Sequence, residues 1–338
     1  MPEAACVPDD PLVHSPIHRT TSSLTMANHW DHFLARWGYR RSEHRVEPGL
    51  YALGAPTADT PVLVTANYSL SFDALRSALE GVDAYILVLD TRGVNVWCAA
   101  GKGTFGTDEL VRRIEATGLS EIVDHRSLIL PQLGGAGVAA HEVKRRSGFS
   151  VEYGPVRAED LPAYLQTRQA TPEMRRVRFD LWDRLVLAPM EVKSTFLPMV
   201  IAAAVLFLIA GPLAAVGAVA AVTAGTVLFP ILLPWLPTRD FSSQGFILGG
   251  LMALPFALTM LLGRPEASLG QRLVGALMYL LAMSPVTAFL ALNFTGSTTF
   301  TSKSGVRREM MTYIRPMAWT FGSGLLLILG YTMIRWLA

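Results

Sequence analysis

The segment from Val94 to Gly103 carries the residue types best suited to chemistry. Cys98 stands three residues after Asn95 and four before Lys102. If the segment is a short helix with Asn95 as its N-cap, the thiol lies in the first turn, where unpaired N–H groups and the helix dipole favour an anion. Lys102 adds a positive charge, so we expect the thiol to lean towards thiolate, a soft ligand for a metal.

Two other interpretations of Cys98 stay open at this point. A free cysteine is most often a small buried hydrophobe. A nucleophilic cysteine needs a base, such as His125 or His141, within hydrogen-bond reach, and the sequence does not fix that distance. Cys6 is the only other cysteine. A disulfide framework is therefore not expected, and this chain cannot hold a four-cysteine iron–sulfur cluster.

The residues around this segment predict an α/β domain at about residues 26–170. Runs rich in β-branched and aliphatic residues predict strands at 62–65, 85–89, 127–131 and 150–153. Helical spacing lies between them, at 70–79, 107–117, 137–146 and 160–168. This alternation predicts a mostly parallel sheet. Ligands bind beyond the carboxyl ends of such strands, so the loops at 65–68, 90–98 and 132–137 are expected to converge on one crevice.

The second half of the chain reads as a transmembrane domain at residues 196–338. The whole chain is 51% hydrophobic and 17% charged, and no charged residue occurs from 194 to 238. Apolar stretches predict five helical spans at about 196–211, 213–236, 243–263, 271–293 and 314–337. Most basic residues near the span ends fall on the side of the first domain, which predicts that this domain faces the cytoplasm.

The remaining segments give weaker signals. Residues 1–25 read as a disordered tail, and residues 171–195 as a linker whose part from 172 to 193 predicts a basic amphipathic helix at the membrane surface. The predicted spans hold no Asp, Glu or His, which favours an anchor over a pump, although a transporter or sensor with a Rossmann-like regulatory domain stays open. No basic patch interleaved with exposed aromatics is present, so nucleic acid is not expected as a partner.

The sequence Asn95-Val-Trp-Cys-Ala-Ala-Gly-Lys102 resembles the signature of the mercury-methylating corrinoid protein family, which is related to the large subunits of corrinoid iron–sulfur proteins. Further segments resemble the same family, as do the five predicted spans. They are Val64-Thr-Ala-Asn-Tyr-Ser69, Leu130-Pro-Gln-Leu-Gly-Gly-Ala-Gly-Val-Ala-Ala-His-Glu-Val143, Tyr153-Gly-Pro-Val-Arg157, Asn293-Phe-Thr-Gly-Ser-Thr298 and Phe300-Thr-Ser-Lys-Ser-Gly-Val306.

The resemblance implies a Rossmann-like cobalamin-binding domain followed by an all-α five-helix transmembrane domain. It places Cys98 on a cap helix as the lower axial ligand to the cobalt of cobalamin. Other residues would contact the corrin or its nucleotide tail with Cys98: Thr65, Asn67, Asn95, Val96, Trp97, Ala99, Ala100, Gly101, Lys102, Gln132, Gly134, Gly137, His141, Gly154 and Arg157. Several of these have ordinary alternatives, as turn glycines or as satisfied polar groups.

The implied activity is transfer of a methyl group from methyl-Co(III) cobalamin to a thiol-bound Hg(II) ion, which gives methylmercury. The implied partners are a small ferredoxin with two [4Fe-4S] clusters, a folate-linked methyl donor system and the lipid bilayer. Residues 295–308 are a candidate loop for docking the ferredoxin. The implied location is the cytoplasmic membrane. A corrinoid methyl carrier of one-carbon metabolism with a non-mercury acceptor shares every motif and remains the first alternative.

Overall fold

A computed structural model describes residues 16–263, 265–297 and 303–337. The chain forms two compact units. The first, the sheet domain, comprises residues 39–176 with the N-terminal segment up to Ala35. The second, the helical unit, comprises residues 177–338 together with 36–38. The boundary at residue 176 lies close to the predicted one at 170.

The sheet domain contains a mixed six-stranded sheet with the order β1-β2-β4-β3-β5-β6. Strands β4, β3, β5 and β6 run parallel, whereas β2 pairs antiparallel with β4 and β1 parallel with β2. The strands are β1 (His18–Thr20), β2 (Gly49–Leu53), β3 (Val62–Ala66), β4 (Ala84–Leu89), β5 (Ser127–Leu130) and β6 (Ser150–Tyr153). The four predicted strands are confirmed as β3 to β6.

Helices cover both faces of the sheet, and each face packs into its own hydrophobic core. All residues of β3 and β4 are buried, because helices lie on both sides of these central strands. The helices are α1 (Met26–Arg36), α2 (Ser69–Ser77), α3 (Val96–Lys102), α4 (Thr107–Ala116), α5 (Leu119–Ile122), α6 (Ala140–Ser147) and α7 (Leu161–Thr167). The four helices predicted between the strands correspond to α2, α4, α6 and α7.

The prediction of a disordered tail at residues 1–25 is wrong at its end. Strand β1 pairs with β2 in this segment, and the guanidinium of Arg76 donates to the carbonyls of Thr21 and Ser23 at 2.6 and 2.7 Å. These bonds form only after distant parts of the chain meet, so local composition does not reveal them. Residues 1–15 of the predicted tail lie outside the described residues.

The described part of the helical unit contains five stretches long and apolar enough to cross a membrane, judged by length and composition. They agree with the five predicted spans in number and approximate place, but the first stretch begins at Leu181 rather than at 196 and the last helix begins at Lys303 rather than at 314. The end of the predicted docking loop is therefore helical. Its residues 298–302 lie outside the described residues. The helices are α8 (Leu181–Leu185), α9 (Ala188–Ala210), α10 (Pro212–Thr223), α11 (Phe229–Leu232), α12 (Phe241–Leu262), α13 (Leu269–Phe294) and α14 (Lys303–Leu337), with a π-helical turn at Ala224–Leu228 between α10 and α11.

The single amphipathic helix predicted at residues 172–193 is wrong. Only the short α8 forms there, and α9 begins at Ala188 with Pro189 in its first turn, a position where the missing N–H of proline costs nothing. Arg184 is 5% exposed and donates to the carbonyls of Pro230 and Ile231, each at 2.9 Å. Arg184 therefore binds the last carbonyls of α11 and does not face a membrane surface.

Candidate functional site

Helix α3 forms as the sequence predicts, with Asn95 as its N-cap. The Asn95 side-chain oxygen accepts a hydrogen bond from the backbone N–H of Cys98 at 2.9 Å. The helix ends at Gly103, whose φ of +83° lies in the left-handed region that favours glycine. Both caps are thus encoded locally, and they fix Cys98 in the first turn of a helix of 7 residues.

The two flanks of α3 have different surroundings. Ala99 and Ala100 are buried and belong to the hydrophobic core on one face of the sheet. Cys98 is partly exposed and does not belong to that core. Gly101 and Lys102 are exposed. The sulfur therefore lies on the flank of α3 that leaves the hydrophobic interior, and the interpretation of Cys98 as a buried hydrophobe loses support.

The expected lean of the thiol towards thiolate is wrong for this structure. Burial raises the pKa of Cys98, and the positive charges of Lys102 and Arg41 and a hydrogen bond with Asn95 lower it by less. The raised pKa means that the thiol keeps its proton at neutral pH. The sequence indicated the charge of Lys102 but not the partial burial, which depends on chain segments that pack against α3.

The loop that leads into α3 is held by Asn67. The Asn67 side-chain oxygen accepts hydrogen bonds from the backbone N–H groups of Thr91 and Gly93, each at 3.0 Å, and from the Thr91 hydroxyl at 2.9 Å. Its amide nitrogen donates to Asp90 at 3.3 Å. Asn67 is 1% exposed, so its side chain holds the loop and has little surface to offer a ligand.

A segment from Arg41 to Arg45 lies along the same loop. A β-carbon placed on Gly93, whose φ is +70°, would come within 3.5 Å of the Ser42 carbonyl oxygen and 3.7 Å of the Arg45 side chain. The charge of Arg41 acts on the Cys98 thiol from this segment. Sequence reasoning missed Arg41, because no local pattern connects it with Cys98.

His44 ties this segment to the rest of the sheet domain. Its two ring nitrogens lie 2.7 Å from an Asp31 carboxylate oxygen and 2.5 Å from the Tyr39 carbonyl oxygen. Burial of the ring lowers the pKa of His44, but these two acceptors and the charges of Asp31 and Glu43 together raise it above the ordinary value. The other Asp31 oxygen accepts from the Ser69 hydroxyl at 2.6 Å.

The loop after β5 packs against the inner side of α3 and the turn that follows it. A β-carbon on Gly137 would lie 2.1 Å from the Phe105 carbonyl oxygen and 2.9 Å from the α-carbon of Ala100. One on Gly134 would lie 2.6 Å from the Phe105 ring. The loops at 65–68, 90–98 and 132–137 therefore meet around α3, where close packing favours glycine at these two positions. That they line a ligand crevice stays a prediction.

The other predicted site residues are placed as follows. Thr65 and Gly154 are buried, and Gln132 accepts from the Arg175 guanidinium at 2.5 Å. The Arg157 guanidinium pairs with Glu159 at 3.3 Å. The side chain of His141 is 82% exposed at the start of α6, with Glu142 at 3.7 Å. Val96 and Trp97 are half-buried on α3.

The structure gives no support to a nucleophilic Cys98 activated by His125. The Nε2 atom of His125 lies 2.8 Å from the Thr60 carbonyl oxygen, and its Nδ1 atom accepts from the Ser127 N–H at 3.3 Å. His125 precedes β5, whereas Cys98 follows β4, and the two strands run in the same direction on either side of β3. The two side chains therefore lie at opposite ends of the parallel strands, His125 at the amino ends and Cys98 at the carboxyl ends.

Fold and site together define the class of the first unit: an α/β domain that presents a partly exposed thiol on a short, capped helix at the carboxyl edge of parallel strands. Residues 38–165 match the family model described as CdhD, the CO dehydrogenase/acetyl-CoA synthase delta subunit. The matched segment contains β2 to β6, α3 and Cys98.

Individual relatives match over the same part of the chain. The acetyl-CoA decarbonylase/synthase complex subunit gamma of Methanopyrus kandleri is 34% identical over 128 residues, which cover 37% of this chain and 27% of the relative. The subunit gamma of Archaeoglobus fulgidus is 32% identical over 128 residues, with the same two shares. That of Methanocaldococcus jannaschii is 34% identical over 116 residues, 34% of this chain and 23% of the relative. This chain thus spans about a quarter of the length of these curated relatives.

Proposed function

We propose that the sheet domain binds a corrinoid and that Cys98 is the lower axial ligand to its cobalt. The observation that carries the proposal is the position of the partly exposed thiol, on α3 outside the hydrophobic core and at the carboxyl edge of the sheet. Support comes from the match of residues 38–165, which contains this helix, to a family associated with corrinoids.

The residues present fit such a group. The deprotonated sulfur of a cysteine is a soft metal ligand. Gly101 and Gly103 are exposed next to Cys98 and carry no side chains that would keep a flat ring system away from it. The backbone of α3 is held from the other side by Asn67 and by the close contact at Gly137. The donor is thus positioned before a ligand binds.

A bound corrinoid supplies the capacity to accept a methyl group and to pass it to an acceptor. The chain's own contribution is to position the Cys98 sulfur and to set how readily its thiol loses the proton. Because the pKa of the thiol is raised, coordination must release a proton, and the positive charges of Lys102 and Arg41 favour that release. Asn95 keeps the thiol in the first turn of α3, where the helix dipole acts in the same direction.

The acceptor that we propose is Hg(II) carried on a small thiol, so that the product is methylmercury. The support is the sequence of α3 and its N-cap, from Asn95 to Lys102, which resembles that of the mercury-methylating corrinoid proteins. The helical unit fits a cytoplasmic-membrane anchor, because five of its helices have the length and composition of spans. We further propose a ferredoxin with two [4Fe-4S] clusters as electron donor and a folate-linked methyl donor.

A second candidate function is supported by a separate observation. The relatives are named as subunits of the acetyl-CoA decarbonylase/synthase complex, which favours a methyl carrier of one-carbon metabolism with a non-mercury acceptor. Both candidates use the same sheet domain and the same Cys98. They differ only in the group that receives the methyl.

The test is to reconstitute the full chain with cobalamin and to compare Cys98→Ala with a Cys6→Ser control. Loss of the sulfur should change the visible spectrum of the bound corrinoid and reduce methylmercury formation by more than about tenfold, since even residues that only support a metal ligand often have effects of that size. An unchanged spectrum would exclude Cys98 as the ligand. Bound cobalamin without methylmercury, when thiol-bound Hg(II) and a reductant are supplied, would favour the second candidate.

A further inference from the structure

Polar bonds from one face hold helix α1 to the sheet domain. On that face the Asp31 carboxylate bonds His44 and Ser69, at 2.7 and 2.6 Å. One residue on, the His32 ring bonds the buried Asp73 carboxylate at 2.8 Å. Bonds from two consecutive residues to two different partners fix the rotation of the helix about its axis.

The opposite face of α1 is aromatic and exposed. Met26, Trp30 and Phe33 recur at the spacing of one helical stripe, and they are 82%, 62% and 49% exposed. The rings of Trp30 and Phe33 stack with centroids 5.4 Å apart. A contiguous exposed patch of this kind marks an interaction surface. Because the polar face is already bonded to the sheet domain, the helix cannot rotate to bury the stripe.

The chain that follows α1 joins the helical unit. Residues 36–38 are part of that unit, and the carbonyl oxygen of Gly38 accepts a hydrogen bond from the ammonium of Lys193 at 3.1 Å. A β-carbon on Gly38, whose φ is +63°, would lie 2.6 Å from the sulfur of Met190. Both partners belong to the start of α9, a few residues before its apolar stretch begins. The last residue of α1, Arg36, is therefore two residues before Gly38, which is bonded to the N-terminal part of α9, close to where the apolar part of the first proposed span begins.

The residues after α1 complete an interfacial pattern. Trp37 and Tyr39 are exposed, and the exposed Arg40 and Arg41 follow them directly. Tryptophan and tyrosine concentrate at the membrane–water interface, where their rings meet the apolar region and their polar atoms stay hydrated. Arginine beside such rings is attracted to anionic lipid headgroups. Charge and composition thus point to lipid as the occupant of this surface.

We propose that α1 lies in the headgroup region of the bilayer, with Met26, Trp30 and Phe33 inserted among lipids. This inference rests on the proposed membrane insertion of the five long helices and is independent of the corrinoid and of the methyl acceptor.

The test uses the full chain in nanodiscs of phosphatidylcholine and phosphatidylglycerol. In a background with Cys6→Ser and Cys98→Ala, Trp30→Cys and Phe33→Cys each receive a nitroxide label. Collision rates with oxygen, which concentrates in lipid, and with a water-soluble nickel chelate are then measured by electron paramagnetic resonance. Labels at 30 and 33 should collide several-fold more with oxygen, relative to nickel, than a label introduced by Lys144→Cys on the exposed side of α6.

The outcomes separate this proposal from the one on which it rests. A label introduced by Leu208→Cys, at an exposed position of α9, should report lipid. If it does, while labels at 30 and 33 are as accessible to nickel as the one at 144, the α1 proposal is overturned. Labels at 30 and 33 that neither reagent reaches would indicate cover by protein and would overturn it too. A water-exposed label at 208 would instead refute the membrane anchor.

A second measurement keeps both cysteines and needs no label. A benzophenone amino acid replaces Phe33 in the otherwise unchanged chain, and illumination in the same nanodiscs should give lipid adducts that mass spectrometry detects. The same amino acid in place of Leu208 is the reference. Lipid adducts at position 208 without any at position 33 would contradict the proposal, even if a nitroxide-labelled variant failed to fold.

Discussion

The sheet domain and the helical unit hold their parts in position by different means. In the sheet domain, buried polar side chains bond loops in defined directions, as Asn67 does for the residues before α3. In the helical unit, glycines let helices approach closely. A β-carbon on Gly245 would lie 2.6 Å from the α-carbon of Ala288, and one on Gly249 would lie 2.7 Å from that of Ser284. Directional bonds suit a site, whereas close apolar packing suits a span.

The charged groups of the two units differ in the same way. In the sheet domain, the Asp73 carboxylate is buried with His32 and Arg76 as partners. Burial raises the pKa of Asp73, but these two partners lower it by more, so the net shift is downward. In the described part of the helical unit, ion pairs and charged hydrogen bonds involve helix ends, as where Glu309 accepts from the Ser242 N–H at 2.6 Å. The proposed spans would therefore keep these charged groups near their ends, away from the apolar stretches.

The largest effect is expected from Asn67→Ala. The substitution leaves the N–H groups of Thr91 and Gly93 without their acceptor in a buried position, whereas the Thr91 hydroxyl keeps the Val94 carbonyl as an acceptor. Leaving a buried donor unsatisfied costs about 1–3 kcal/mol, so we expect a loss of about 3 kcal/mol or more in the free energy of unfolding of the sheet domain. Pulse proteolysis of the full chain across a urea series, with fragments of this domain followed by mass spectrometry, measures the loss.

The matched control is Asn28→Ala. The Asn28 side chain also accepts two hydrogen bonds, from the N–H and the hydroxyl of Thr25, but at an exposed site where water replaces the acceptor. We expect a loss of less than about 1 kcal/mol there. Equal losses at the two positions would mean that burial of the polar network is not what holds the sheet domain's loops.

A smaller effect is expected from Gly249→Ala in the helical unit. The added β-carbon would come within 2.8 Å of the Thr287 β-carbon as well as of Ser284, so α12 and α13 must move apart. Overpacking of this kind costs about 1–3 kcal/mol. The neighbouring Gly250 is an internal control, because its β-carbon would meet only the Ser284 hydroxyl at 3.7 Å. Thermal unfolding in detergent should show a lower midpoint for Gly249→Ala and little change for Gly250→Ala.

Features that are determined by residues close together in the sequence were predictable, whereas features that depend on contacts between distant segments were not. The caps of α3 and the five apolar stretches are local, and they were predictable. Strand β2 was missed because Leu50 and Tyr51 are buried by pairing with β4, and no sequence pattern within residues 49–53 predicts that pairing. The parallel strands were predictable because β3 and β4 are short runs rich in β-branched and aliphatic residues.

The site was predicted in part for the same reason. Local spacing identified Cys98 and Lys102, and the strand ends identified the loops that meet around them. The charge of Arg41 and the partial burial of the thiol depend on segments far away in the chain, and they reversed the expected direction of the pKa. Asn67 was selected for its place at a strand end, although its bonds to Thr91 and Gly93 show that it positions α3 from within the domain.

The smallest effect is expected in the alkylation of Cys98. Only the thiolate reacts, and the pKa of this thiol is raised, so iodoacetamide should modify Cys98 more slowly than an exposed cysteine near neutral pH and approach the same rate as the pH rises. Removing a nearby positive charge raises the pKa further. In the corrinoid-free chain with Cys6→Ser, Lys102→Gln should therefore slow the reaction by about twofold, since an exposed charge is largely screened by solvent. Mass spectrometry of the Cys98 peptide measures the rate, and Lys144→Gln on α6 should leave it unchanged. A rate near neutral pH equal to that of an exposed cysteine would show that burial does not raise this pKa, and a rate that increases in Lys102→Gln would show that the Lys102 charge does not lower it.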